Sequence, residues 1–259
     1  MVTEHTLVQI RERRFLEVLD LALVVVRGQP LVIGLAALAG IAPAAALNAW
    51  LISDPEFSLL LFALIVFLEI PWATAPLTMV LGGLMFGQRP QAGRLLRRLV
   101  QALPALFVHQ LLLRTVLVVS FVFSFLIPTR LVFLNEVIVL EGTPWGKTWS
   151  RSAQLCARRE GDLFGQWLAE LFFGAMFVGS FWYGTSMALS ALLTTEMTWE
   201  EPGWGDVYGV KFQLALWLAI AFFTVARFLT YIDHRIRKEG WETKLRLQNV
   251  ARVLEETQA

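Results

Sequence analysis

Residues 57–86 read FSLLLFALIVFLEIPWATAPLTMVLGGLMF, and Glu69 is their one ionisable side chain. A run this apolar exceeds the roughly 20 residues that carry a helix through about 30 Å of hydrocarbon. Apolar residues occupy every side of the helix it would form, so it belongs in lipid or in a deep core, not on a soluble surface. Its surplus length, with Pro71 and Pro76 inside, predicts a bent or tilted crossing.

The same character recurs on either side. Toward the N-terminus, about Leu31 to Ile52 is a Gly- and Ala-rich span, with small residues that permit close helix packing and a kink expected at Pro43. Further along, spans are expected at about Pro104 to Ile127, Leu163 to Leu193 and Val207 to Tyr231. In the fifth, Ala175 with Gly179 and Ser180 with Gly184 are small-xxx-small pairs suited to helix contact. Of the 259 residues, 56% are hydrophobic and 17% charged, against about 45–50% and about 25% in an average soluble domain. A water-soluble fold is excluded by that balance, and nothing between the blocks is long enough for a separate soluble domain.

The apolar run Leu131 to Leu140 is short for a crossing, and charge decides how to read it. Gly87 to Gln101 and Lys147 to Arg159 are both basic, so both are expected on the cytoplasmic side, which requires an even number of crossings between them. Leu131 to Leu140 is therefore expected to be the fourth of about six transmembrane helices. Arg130 and Lys211 then fall at the outer side and Arg114 and Arg227 within spans, leaving 18 of the 22 Lys and Arg inside. The acidic loop Thr194 to Asp206 is expected outside. Trp50, Trp199, Trp204 and Tyr208 mark the outer boundary, and Trp145, Trp149 and Trp241 the inner one.

The fold class is thus an all-α polytopic membrane helix bundle, with amphipathic surface helices and both termini cytoplasmic, in the cell membrane. Residues 1–30 form an interfacial helix in which Val8, Phe15, Val18, Leu19 and Ala22 share a face and Arg13, Glu17 and Asp20 oppose it. This start lacks the short apolar core of a signal peptide, so no cleavage is expected. Residues 31–231 form the bundle. Residues 232–259 are a charged helical tail with Leu247, Val250 and Leu254 on one face. Arg94, Arg97 and Arg98 recur at helical spacing opposite Leu95 and Leu99, predicting a helix on the membrane surface.

Ionisable side chains inside spans are functional candidates, since each costs about 2.5–3.5 kcal/mol at a helix centre on insertion scales. They are Glu69, His109, Arg114, Glu136, Glu170 and Arg227. Counting about 1.5 Å per residue places Glu170 and Arg227 at one depth, so an ion pair between them is expected. Arg114 and Glu136 would pair only if Arg114 reached along its helix. The basic candidates for lipid headgroups are Arg94, Arg97, Arg98, Arg151, Arg158, Arg159, Arg235, Arg237 and Lys238.

Chemistry is harder to find. Cys156 is the single cysteine, which excludes an internal disulfide and is expected on the cytoplasmic side, and no Cys/His spacing suits a zinc site. There is no His-Glu-x-x-His, no Gly-x-Ser-x-Gly and no Gly-rich phosphate loop ending in Lys-Ser/Thr. Asp233 and His234 are sequence neighbours, which point in different directions on a helix. No cofactor, metal or nucleic acid is expected, and no enzyme.

Two stretches share a design, Gly87 and Pro90 before Arg97, and Gly142 and Pro144 before Arg151. Three others carry a resemblance: Arg14 to Leu21 (RFLEVLDL), Val137 to Gly142 (VIVLEG) followed by Ser150-Arg151-Ser152, and Tyr231 to Trp241 (YIDHRIRKEGW). In these the chain resembles the six-helix membrane domain attached to some glycerophosphodiester phosphodiesterases, which has many stand-alone bacterial relatives. The resemblance implies an architecture. Its enzyme activity is not carried over, because the histidines are only His5, His109 and His234 and no His-Arg-Gly segment occurs.

The leading functional expectation is a non-catalytic accessory or scaffold whose basic side meets anionic lipid headgroups or another membrane protein. The alternative is a transporter or channel with a polar pathway through Glu69, Arg114, Glu136 and Glu170.

Overall fold

A computed structural model of the chain describes residues 15–53, 57–85, 91–120, 124–193 and 209–239. Val8, Arg13, Gly87, Pro90, the loop 194–208 with Trp199, Trp204 and Tyr208, and the chain from Gly240 onward lie outside these. All the described elements are helical.

Five helical runs are long and apolar enough to cross a membrane. They are α2 (Pro30–Ile52), α3 (Leu59–Met85), the continuous run Ala92–Val119, α9 (Glu160–Leu193) and α10 (Val210–Glu239). Proline opens α2, where its missing N–H breaks no helical bond. The chain is an all-α polytopic helix bundle. α2 and α3 run antiparallel, since residue 40 meets residue 73 while Asn48 bonds Glu69. A Cβ on Gly40 would collide with the Ala73 carbonyl, so the two backbones touch where glycine allows it. α9 and α10 are also antiparallel, tied by Gln166 to Thr230 near one end and Lys211 to Ser186 near the other. α1 (Phe15–Gly28) packs along α10, and Val18 and Ala22 from its expected apolar face are buried in the main core with Phe228 and Ile232.

The surface helix and third span form one run. α4 (Ala92–Leu106) passes through Pro104 into a π-helical segment, Phe107–Leu113, and then α5 (Arg114–Val119). Arg94, Arg97 and Arg98 are exposed, while Leu95 and Leu99 turn inward. Likewise α10 continues without a break through Tyr231 into residues expected to start the tail.

The expected fourth crossing is corrected. Between Val119 and α8 (Trp145–Cys156) the chain forms α6 (Leu126–Arg130), α7 (Leu134–Glu136) and a second π segment, Val137–Glu141. Leu134 to Glu141 rises only about 12 Å, less than half the hydrocarbon thickness. Leu131, Phe133, Leu134, Val137 and Ile138 are all buried in protein. Irregular backbone at membrane depth is tolerated in such a place.

Arg130 is corrected with it. Its carbonyl accepts from Ser152 Oγ at 2.9 Å, and its Nε lies 3.4 Å from Glu160. Lys238, near the end of α10, donates to the carbonyls of Gln154 and Ala157 at the α8–α9 turn. Leu84, Met85, Leu95, Leu140 and Ile236 join the same packed cluster. One end of the bundle therefore gathers the basic segments, and the chain is back at that end by Arg130. Glycine contact along α9 also differs from expectation. Gly174 meets Phe223, whereas Gly179 and Gly184 face open space.

Candidate intramembrane polar cluster

Arg227 sits about three turns from the end of α10, on the side facing α7. Its Nε donates to Glu136 Oε1 at 2.8 Å, and the Glu136 side chain is 0% exposed. This replaces the expected Glu170–Arg227 pair. Depth along two helices gives height but not azimuth, and the buried α7 presents Glu136 on the side to which Arg227 turns. Glu170 instead accepts from Gln166 Nε2, one turn away, at 2.9 Å, and Gln166 also donates to Thr230 Oγ1 at 3.0 Å. Glu170 still lies within electrostatic reach of Arg227 and Glu136.

Arg114 finds a third kind of partner. Its guanidinium carbon lies 3.8 Å from the centroid of the Phe67 ring, whose π face attracts a cation. It remains within electrostatic reach of Arg227, while Glu136 is bonded to Arg227 instead. Two arginines and two glutamates thus share one interior region. Charges so removed from water persist only when they compensate one another, because the interior supplies no solvation. Asn135 approaches Thr74 Oγ1 at 3.5 Å beside them. Glu136 Oε2, Arg227 Nη2, Arg114 Nε and Asn135 Oδ1 are buried without a protein partner.

Glu69 is separate from this cluster, held by Asn48 Nδ2 at 2.8 Å. His109 lies in the first π segment, and its Nε2 is buried without a protein partner.

A second polar group forms where the basic end begins. Glu141 closes the second π segment and receives Arg151 Nε at 2.7 Å, Arg151 Nη2 at 3.2 Å and Tyr231 Oη at 2.7 Å. Arg235 donates to Tyr231 Oη at 3.2 Å. Gly142 follows at φ 59°, a left-handed conformation that turns the chain into α8 at little steric cost. Paired Arg151 and Arg235 are thereby taken up by the protein, as are Arg237 on Asp233 at 2.8 Å and Lys238 on its two carbonyls. Arg159 lies 3.6 Å from Asp162. Arg94, Arg97, Arg98 and Arg158 are exposed, the last at φ 74° in the turn after α8.

Asn48, Gln166, Glu141 and Tyr231 were not expected as partners. An amide inside the otherwise apolar α2 was the one local signal for Asn48. Among the described residues, no three His, Cys, Asp or Glu side chains converge as a metal site requires. No family model, curated protein or solved structure matches the chain.

Proposed function

We propose that this chain is a non-catalytic membrane scaffold whose basic end, on the cytoplasmic side, binds anionic lipid headgroups. One observation carries the reading: Arg94, Arg97 and Arg98 stand exposed where α4 leaves that end, while the interior charges are engaged with one another. Each cation near an anionic surface contributes about 1 kcal/mol. Arg158 extends the same face. The resemblance to the phosphodiesterase-associated membrane domain stays part of this proposal, as an architecture without an activity.

The test is native mass spectrometry of purified protein given phosphatidylglycerol or phosphatidylcholine. The wild type is expected to retain phosphatidylglycerol preferentially, and R94A/R97A/R98A to lose that preference. Equal retention of both lipids by the wild type would contradict the proposal. The conducting alternative predicts solute flux through reconstituted protein that E136Q abolishes. The ion pair of Glu136 with Arg227 and the placement of Arg114 over Phe67 favour the scaffold.

A further inference from the structure

The contact between Asn48 and Glu69 contains an imbalance. Asn48 on α2 is completely buried, and its Nδ2 donates to Glu69 Oε2 on α3 at 2.8 Å. The two remaining polar atoms of the pair, Asn48 Oδ1 and Glu69 Oε1, are both buried and both without a partner. Both are acceptors if Glu69 is ionised, so neither could satisfy the other. Ten residues into α3, Glu69 lies about 15 Å along the helix, near the middle of the hydrocarbon.

Among the described residues, no cation is paired with it. α2 carries no ionisable side chain. On the other elements packed against α3, Arg114 lies over Phe67 and His109 sits in the first π segment. Glu136 and Arg227 hold each other, and Glu141 holds Arg151 and Tyr231. The remaining charged groups of α4 and α10 stand toward the two ends, with Lys211 on Ser186 at one and Arg237 on Asp233 at the other.

A single proton resolves all of this. Placed on Glu69 Oε1, it removes the charge and turns that oxygen into a donor for Asn48 Oδ1. Acid and amide then make two reciprocal hydrogen bonds, and both unpartnered atoms are satisfied. We infer that Glu69 and Asn48 form a proton-binding site inside the membrane, in which Glu69 is a neutral acid that clasps α3 to α2. Loss of the proton sets a carboxylate oxygen against an amide oxygen and loosens the clasp. The inference requires only the spanning helices and is independent of the basic end.

Infrared spectroscopy of the protein in lipid reads the protonated-acid carbonyl band directly. That band is expected to persist from about pH 5 to about pH 8, far above the ordinary glutamic acid value of about 4.3. It is expected to disappear in Glu69→Gln, whose amide keeps the reciprocal geometry. Asn48→Ala serves as a second variant, and is expected to shift the band by removing the acceptor. A band that survives Glu69→Gln unchanged, or one that appears only below about pH 5, would overturn the inference.

Discussion

The Arg227 guanidinium and the Glu136 carboxylate meet at 2.8 Å across 91 residues of sequence, joining the longest apolar helix after α9 to a three-residue helix buried beside it. That bond fixes a segment too short to be held by lipid. It also keeps a charge that the membrane would otherwise reject.

Breaking the pair from one side should therefore be worse than replacing it. Arg227→Met leaves Glu136 charged and unpartnered, and is expected to destabilise the protein by about 3–5 kcal/mol. The double variant Arg227→Met with Glu136→Leu is expected to recover most of that loss. Thermal unfolding in detergent, compared across the two single variants and the double, measures the coupling. Strict additivity would contradict it.

Tyr231 is fully buried and donates its hydroxyl proton to Glu141. Tyr231→Phe keeps the ring packed edge-on against Phe133 and removes that bond together with the one that Tyr231 Oη accepts from Arg235. The expected loss is about 1.5–3 kcal/mol, the range for a hydrogen bond to a charged group. Denaturant unfolding of the purified variant checks it.

Gly40 and Gly179 should respond oppositely to the same added methyl group. Gly40→Ala drives a Cβ into the Ala73 carbonyl and is expected to lose about 1–3 kcal/mol. Gly179→Ala meets nothing within 4 Å and is expected to stay within about 0.5 kcal/mol of the parent. Unfolding midpoints of the two variants separate these outcomes.

Cys156 is wholly buried, and burial first of all pushes its thiol from 9.0 up to about 12. It is therefore expected to resist maleimide from either side of the membrane until the protein is unfolded, so its labelling does not report topology. The sign of its pH effect follows. The unfolded thiol ionises near 9 and the folded one near 12, so the folded state holds the extra proton between them. Its contribution to stability is complete below about pH 9 and is lost as pH rises toward 12, a loss expected to shrink in Cys156→Ser.

The spans α2, α3, α9 and α10 were legible because long apolar runs admit few other readings. Leu131 to Leu140 was not, because hydropathy registers that a segment avoids water without distinguishing lipid from protein as its cover. The residues of the interior cluster were visible as charges in apolar surroundings. Their pairing was hidden, since Arg227 could be given a height from sequence but not a facing. Glu141 and Tyr231 were visible only within motifs, and nothing local announced that α8 and α10 would bring Arg151 and Arg235 to them.

Placing Arg130 with the basic end separates this architecture from six regular crossings. In a Cys156→Ser background, single cysteines at Arg94, Arg130, Gln154 and Lys211 can be treated with a membrane-impermeant maleimide in sealed vesicles of known orientation. The first three are expected to label from one side and Lys211→Cys from the other. Arg130→Cys labelling together with Lys211→Cys would contradict this architecture.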